Sequence, residues 1–466
     1  MFEWHKKEKP VFTGITRGIG GFGFGGGGGG AAAPTDTLAS GGTITQPGNG
    51  YVYHHFDGVG DIYTSSTVND TNFSNYSLET RSVGDRGTNG AAPTANSFCI
   101  VLKSAQETVD VRTQNTNGST GSTYSFWYST DNGSTFSPHP TTHTGLMDGG
   151  TAVTIGPHAG GVTHVVYSSG SSGNRYYWAP TPVATFVSNG PKTIDIVMTG
   201  GGGGGGGTSG GGAGGLVHFI GVFVSNTITL AIGRGGLLGP GASPGAPQNG
   251  ANTTLSGPDF PATITAQGGG GGGTFNVTDF PFAGGSGGGG YSDSGGSNQG
   301  SGGPGTQPAQ NGTYTPNPNF AQYGNPGGAG STKIGYVAGG GGGGASAAGG
   351  ALPDADDPNE AYEAQDVAIG GDGQTISGFE YPLWYAGSLT SPTNNHFGGG
   401  GGGTPNGSVN YSRGGYGGGG DSGAPPSNRN NYGIPTLGGG SGGGPPSAPS
   451  GRGAGGSGGV IIRYLA

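Results

Sequence analysis

"IDIVMTGGGGGGGG", residues Ile194 to Gly207, joins six residues of strand character to eight glycines. The device recurs at Ala262 ("ATITAQGGGGGG") and at Lys333 ("KIGYVAGGGGGG"). A strand that leads into bare backbone needs a reason. Glycine loses more conformational freedom on ordering than any other residue, and it gives a sheet no side chain to pack. A flexible linker is one reading, but the runs alternate with segments too short to be domains. Collagen is excluded, because no Gly-X-Y period is present.

The remaining reading is a lattice of extended left-handed helices with three residues per turn. Such a helix makes no internal hydrogen bonds, so its amides and carbonyls must find partners on its neighbours. Only glycine lets backbones approach closely on every side, where Cα–H···O contacts add a little. At about 3.1 Å per residue, eight glycines span roughly 25 Å. On this reading the strands place the runs and the runs are the core. The main runs are 200–207, 268–273, 339–344 and 398–403, with shorter ones at 287–290, 417–420 and 438–440. Gly203, Gly270, Gly341 and Gly400 stand in the middle of the main runs and are the expected lattice residues. Thr306, between runs, reads as a loop residue.

Working outward, the 466-residue chain contains 118 Gly and 32 Pro, a composition typical of low-complexity sequence. Yet charged residues are only 9%, and there are 20 Tyr, 19 Phe and 4 Trp, against ordinary disorder. Helical periodicity is almost absent, while strands recur, as in "GYVYHHF" (Gly50 to Phe56), "TYSFWYS" (Thr123 to Ser129) and "GVIIRYL" (Gly459 to Leu465). The expected class is all-β, with three regions. Residues 1–40 are an N-terminal anchoring peptide with a Gly run. Residues 41–190 are a small β-sandwich. Residues 191–466 are a glycine-rich domain with a lattice of polyglycine II helices bounded by short strands and carrying display loops.

A net charge of −9 argues against nucleic acid as a partner. One cysteine permits no intrachain disulfide framework. No apolar run of signal-peptide or membrane-spanning length is present, so neither a cleaved leader nor a membrane span is expected. His54-His55 and His139/His143 could ligate a metal. Adjacent strand histidines face opposite sides, however, and all four are read as surface or half-buried strand histidines, with no metal or cofactor expected. "STDNGSTF" (Ser129 to Phe136) fits the Asp-box pattern and reads as a structural hairpin turn. The acidic segment "PDADDPNEAYEAQD" (Pro353 to Asp366) reads as a solvated loop without the convergent carboxylates of glycan hydrolysis. Arg-Gly-Gly at Arg234 and Arg413 is too sparse for an RNA-binding segment. No enzyme is expected.

The 191–466 region resembles the glycine-rich domain of bacteriophage tail-fibre and adhesin proteins. The likeness rests on the opening strand that enters glycines ("KTIDIVMTGGGGGGGG", from Lys192), the internal strand "ATITAQGGGGGG", and the closing strand after Gly-Ser-Gly ("GGSGGVIIRYLA", from Gly455). The head, "KKEKPVFTGITRGIGGFG" (Lys6 to Gly23), is similar to N-terminal peptides of such virion proteins. The resemblance implies a virion protein made in the host cytoplasm, a tail fibre or tail-tip adhesin whose loops touch the host on a rigid scaffold. Alternatives are a capsid fibre or decoration protein, or a glycine-rich extracellular matrix protein. The implied partners are other virion proteins through residues 1–30, and a host surface glycan or outer-membrane protein. A homo-oligomer is expected, with a trimer favoured. The candidate receptor-binding residues are Tyr381, Trp384 and Tyr385 in "SGFEYPLWYAGS", together with Tyr362. These aromatics suit sugar stacking or protein contact, and equally suit a cover over the lattice end.

Overall fold

In the computed structural model of the chain, strand Lys192–Thr199 alternates its side chains across a sheet. Ile194, Ile196 and Met198 enter one apolar cluster, and Val197 enters a second cluster on the opposite face. This is the period-two arrangement of a strand buried on both sides. The structure describes residues 39–57, 76–79, 98–106, 109–115, 123–132, 134–140, 143–144, 153–169, 174–178, 183–236, 249–274, 281–291, 300–307, 320–330, 338–351, 368–379, 395–404, 412–422, 432–434, 436–444 and 453–466. Every named element among them is a β-strand, and the fold is all-β.

The opening strand lies near the centre of a six-stranded antiparallel sheet. Its order is Thr43–Thr45, Tyr51–Asp57, Gly459–Leu465, Lys192–Thr199, Leu216–Val224, Ala321–Tyr323. A four-stranded sheet of Val183–Val187, Thr227–Ala231, Thr253–Ser256 and Ile264–Ala266 shares its core. Phe186, Ile228, Leu230 and Leu255 meet Ile196, Phe219 and Ile462 there. The chain passes between the sheets at Ser225–Asn226, whose amides donate to Asp259 Oδ2 at 3.0 and 2.9 Å.

This two-layer base draws strands from both sides of the expected boundary at 190/191. Strand Tyr51–Asp57 pairs with the closing strand over its whole length, from Tyr51↔Leu465 to Asp57↔Gly459. The expected division into a separate sandwich over 41–190 and a glycine-rich domain from 191 does not describe this sheet. The closing strand has two edges of backbone polar groups to satisfy, and the residue 51–57 segment supplies the second edge. Between these strands the chain forms two further antiparallel sheets. One has the order Tyr76–Glu79, Phe98–Gln106, Val162–Ser169, Thr123–Ser129, Ser137–Pro138, with His143–Thr144 also on Thr123–Ser129. The other is Asn174–Trp178, Val109–Asn115, Val153–Ile155. The expected anchoring peptide lies, but for Ala39 and Ser40, outside the described residues.

Beyond Thr199 the pairing keeps its register and changes its period. Thr199 pairs with Leu216. Next, Gly200, Gly203 and Gly206 donate to the carbonyls of Gly215, Gly212 and Ser209 at 3.0, 2.8 and 2.9 Å. Thr199 also pairs with Gly459, and Gly202 and Gly205 then donate to Gly456 and Gly453 at 2.8 and 3.3 Å. Strands bond a neighbour every second residue. Here the bonds to each neighbour come every third, as a helix of three residues per turn requires. The run glycines lie outside the left-handed region except where a run opens, at Gly398 (φ 74°), Gly438 (φ 68°) and the pair Gly417 (φ 89°) and Gly418 (φ 107°). They therefore take the negative-φ polyproline II form.

The bonds define a hexagon. The segment 210–215 donates to three neighbours: Gly340 and Gly343, Ser441 and Gly438, Gly270 and Gln267. It accepts from three others, through Gly200 and Gly203, Ser286 and Gly289, and Gly401. These six neighbours are themselves bonded in a closed ring. Gly269 donates to Gly201, Gly270 to Ser286, Gly340 to Gly290, Gly342 to Gly401, Gly440 to Gly399, and Ser441 to Gly203, at 2.7 to 3.2 Å. The four expected main runs are all in this ring. The central helix, "GGGAGG", was not among the expected runs, because Ala213 interrupts it. Ala213, Ser286 and Ser441 are the side chains carried inside, and each is fully buried.

A Cβ built on Gly203, Gly270, Gly341 or Gly400 would fall well under 3.0 Å from a neighbouring carbonyl oxygen, those of Gly270, Phe282, Ile369 and Gly342 respectively. Thr306, read from sequence as a loop residue, belongs to the lattice. Its amide and hydroxyl both donate to Gly284 O at 2.8 Å. The informative comparison is therefore Gly203→Val against Ser301→Val, since Ser301 is exposed. Gly203→Val should cost at least about 3 kcal/mol, from overpacking and broken backbone bonds. Ser301→Val should stay within about 0.5 kcal/mol of the parent. Urea midpoints of the two variants check this.

Candidate functional site

Helices outside the ring obey a simpler rule. Their sequences read Ser301-Gly-Gly-Pro304, Pro326-Gly-Gly-Ala329, Ala348-Gly-Gly-Ala351, Ile369-Gly-Gly-Asp372 and Arg413-Gly-Gly-Tyr416. The outer residue of each pair is exposed or half-buried. At each intervening glycine a Cβ would come under 3.0 Å of backbone, as at Gly302 (Gly327 O), Gly328 (Gly350 O), Gly370 (Gly400 O) and Gly415 (Gly371 O). With three residues per turn, two faces of an outer helix meet neighbours and the third meets solvent. Side chains are allowed every third residue, and the Arg-Gly-Gly at Arg413 is one case of this rule.

Polar side chains complete the outer faces. Asn252 Oδ1 and Asn249 Oδ1 accept from Gly268 and Gly271, both at 2.9 Å. The two asparagines stand one turn apart and take the place of a missing glycine helix. Asp421 Oδ1 accepts from Gly414 at 2.9 Å, and Asp372 Oδ1 from Tyr416 at 2.9 Å. The Arg413 guanidinium lies over the Tyr416 ring, 4.4 Å from its centre.

Three-residue helices that run back and forth leave their connections at the two ends. At the end away from the sheets the chain departs after Thr274, Tyr291, Gly330, Ala351, Thr404, Ser422 and Gly444. It comes back there at Pro281, Gly300, Ala338, Ala368, Ser412 and Gly453, whereas after Ser422 it comes back at Tyr432, beside Ile434 of the sheet-facing cluster. Bonds across this end place the anchors together with the Gly207–Ser209 turn. Gly300 donates to Tyr291 O, Gly339 to Thr404 O, Thr404 to Thr208 O, Ser422 to Ser412 O and Gly444 to Gly207 O, at 2.6 to 3.1 Å.

Tyr362, Tyr381, Trp384 and Tyr385 all lie outside the described residues. The described residues that flank them lie at different ends of the lattice. The segment holding Tyr362 is anchored by Ala351 and Ala368 at the far end. The segment holding the other three is anchored by Phe379 and Asn395 at the sheet end. Phe379 is fully buried against Val197, Leu216 and Ile461 of the sheet.

At that sheet end Arg463 is the tie. Its Nε donates to Asp195 Oδ2 at 3.0 Å, and its guanidinium lies over Phe379 (4.3 Å) and Tyr51 (4.5 Å). It also donates to Gly378 O, which accepts from Tyr53 Oη at 3.1 Å as well. This half-buried pair binds the lattice-side loop to the strands. Removing one partner leaves the other charge partly shielded from water, so Arg463→Leu should cost roughly 2 kcal/mol, read from thermal or urea melts.

The Asp-box segment is a hairpin turn. Ser129 Oγ donates to Asp131 Oδ1 (2.7 Å), Thr135 N to Oδ1 (2.9 Å) and Thr135 Oγ1 to Oδ2 (2.6 Å), while Asn132 takes φ 56°. The Thr135 bonds, then that of Ser129, hold the Asp131 carboxyl well below the usual range. Phe136 is buried beneath, edge-on to His164 at 6.1 Å. Among the described residues no three His, Cys, Asp or Glu groups come together to hold a metal, and no helix is long and apolar enough to cross a membrane.

The glycine-rich domain family matches residues 179–465. The chain belongs to this family. The matched span opens just before strand Val183–Val187 and closes on the last residue of the closing strand, so it takes in the glycine lattice and the base strands from Val183 onward, but not Thr43–Thr45 and Tyr51–Asp57. No curated protein and no solved structure matches the chain.

Three histidines of the base are held neutral. His54 and His55, expected at the surface or half-buried, are instead buried on opposite faces of one strand, because that strand is covered on both sides, and burial lowers both, with His55 pushed down to about 4. His218, edge-on to Phe379 at 5.8 Å, is lowered by burial too, and its Nε2 has no hydrogen-bond partner among the described residues. The unfolded chain takes up these protons near pH 6.5, and the folded chain does so only at lower pH. Stability is therefore full above pH 6.5 and falls on acidification towards pH 4. The slope is up to about 1.4 kcal/mol per pH unit for each histidine. Urea midpoints at pH 7.5 and 4.5 measure the effect. Equal midpoints would contradict it.

Proposed function

We propose that this chain is a virion structural protein, a tail fibre or tail-tip adhesin that displays host-recognition segments on a rigid polyglycine scaffold. The observation that supports it most is the far end of the lattice. Six pairs of segment ends lie there, several of them on bonded backbone, such as Tyr291 with Gly300 and Thr404 with Thr208, so the sequences between them can change without altering the core. Function carried by variable connections on a stiff frame is a common solution in recognition proteins. The resemblance of the glycine-strand device to phage adhesins supplies the particular setting. The partners in this reading are a host surface glycan or outer-membrane protein at the far end and other virion proteins through residues 1–30. The particle is a homo-oligomer, and no catalytic role is assigned.

The anchors distinguish the two aromatic segments. Tyr362 belongs to a far-end excursion and is the favoured contact. Tyr381, Trp384 and Tyr385 belong to a sheet-end excursion and are assigned to covering that end. The test replaces residues 352–367 with a Gly-Ser segment of equal length, and separately replaces 380–394. Adsorption of the full chain to host cells should fall at least tenfold for the first, with the melting temperature kept. The second should lower the melting temperature and spare adsorption. Loss of adsorption only in the second variant would reverse the assignment. Adsorption unchanged in both would remove the far end as the recognition surface.

A further inference from the structure

An outer helix leaves one residue in three free of the lattice, and the lattice does not dictate what stands there. On three of these helices the free residues are small or cyclic: Ser301 and Pro304, Pro326 and Ala329, Ala348 and Ala351. On two others they include Asp372, Arg413 and Tyr416. The chain has only 16 Lys and Arg in 466 residues, so a cation at a position the fold leaves open calls for a reason. The two helices lie side by side, since Gly370 donates to Arg413 O at 3.0 Å and Gly373 to Tyr416 O at 2.7 Å.

One atom of this cluster serves the lattice. Asp372 Oδ1 accepts from the Tyr416 amide at 2.9 Å. Asp372 Oδ2 and Tyr416 Oη make no hydrogen bond among the described residues. The Arg413 guanidinium stands over the Tyr416 ring, 4.4 Å from its centre. Its Nη1 is 4.0 Å from Asp372 Oδ1, beyond hydrogen-bond reach, and has no hydrogen-bond partner among the described residues. The two side chains are 28% and 38% exposed, so both can meet a ligand. An acceptor and a donor thus stand side by side, each short of a partner, next to a half-buried aromatic ring.

The chemistry of the pair selects what can join them. A carboxylate only accepts and a guanidinium only donates. A group that satisfies both must donate and accept, as a hydroxyl does. An ionised carboxylate or phosphate cannot donate to Asp372. It would also meet Asp421, whose Oδ1 is held on the Gly414 amide of the same helix at 2.9 Å, so two negative charges face one positive. An ammonium cannot accept from Arg413 and would be repelled by it. Tyr416 adds an apolar body with a polar tip, which suits a ring that carries both C–H groups and hydroxyls.

We infer that Asp372, Arg413 and Tyr416 form a binding site for a neutral saccharide on the side of the lattice. Arg413 donates to, and Asp372 accepts from, adjacent hydroxyls of one sugar ring, and Tyr416 meets its C–H groups. The inference does not rest on what the far end recognises, because these side chains belong to the outer faces of lattice helices.

The experiment measures saturation transfer by NMR from the full chain to the methyl glycosides of glucose, galactose, mannose, rhamnose and N-acetylglucosamine at millimolar concentration. At least one glycoside should receive transfer. Arg413→Gln and Asp372→Asn should each weaken its binding by about tenfold or more, the loss of one charge-assisted hydrogen bond. Both variants should keep the parent melting temperature, since asparagine retains the acceptor for the Tyr416 amide and the Arg413 side chain bonds no lattice group. Should one variant not fold, the other carries the test. No transfer to any of the glycosides overturns the inference, and so does a folded variant that binds as the parent does. Sodium galacturonate bound more tightly than methyl galactoside would overturn the neutral class. Replacement of residues 352–367 should leave the transfer unchanged, whatever it does to adsorption on cells. Loss of transfer in that variant would place the sugar at the far end and overturn the lateral site.

Discussion

The hydrogen bond from a glycine amide to a carbonyl on a neighbouring helix is the interaction on which this structure depends. A helix of three residues per turn makes none of its own, so every buried amide must be satisfied by another chain segment. Helix 210–215 shows the full solution, with three neighbours accepting its amides and three donating to its carbonyls. The bonds are short, mostly 2.7 to 3.1 Å, and the segment is fully buried. In an ordinary domain the interior is apolar side chains. Here the interior is backbone, and the side chains lie at the base and around the outside.

This core does not form alone, because ordering glycine is entropically costly. The base provides the alignment. Its two sheets share an apolar cluster that includes Ile196, Met198, Phe219, Leu230 and Ile462, and burial of such side chains drives folding. Pairing there fixes the register of Thr199 against Leu216 and Gly459. The same register then carries into 200–206 without interruption. A second cluster, with Phe379, Phe397, Ile434 and Leu437, seats lattice helices that have no strand of their own against the other face of the sheet. Strands lead into glycine because the strands set the positions from which the glycines bond.

The scaffold has consequences at its ends and on its sides. At the far end the described segment ends sit on hydrogen-bonded glycine helices, as Gly300 on Tyr291 and Gly444 on Gly207. The sides are where the code relaxes to one free residue in three. Asparagine and aspartate fold back onto lattice amides in some places, and proline removes the amide in others. Among the described residues Arg463 is paired with Asp195, and the Arg413 guanidinium lies over the Tyr416 ring.

Much of this was legible in the sequence. Polyglycine next to Val- and Ile-rich stretches determined an all-β chain with a backbone core, and the mid-run glycines Gly203, Gly270, Gly341 and Gly400 stand in the ring. The pairs Pro326-Gly-Gly-Ala329 and Arg413-Gly-Gly-Tyr416 also carried a signal, a three-residue period that marks an outer helix, although run length hid it. Other features were beyond sequence reading. That 210–215 is the centre depends on which six segments surround it, and their separations along the chain extend to more than two hundred residues. That strand Tyr51–Asp57 joins the closing strand depends on an open edge created only once the sheet is assembled. The reason is common to both. A glycine helix looks the same wherever it lies, because its own sequence states only how closely it can be approached, and its neighbours are chosen by the register of the base.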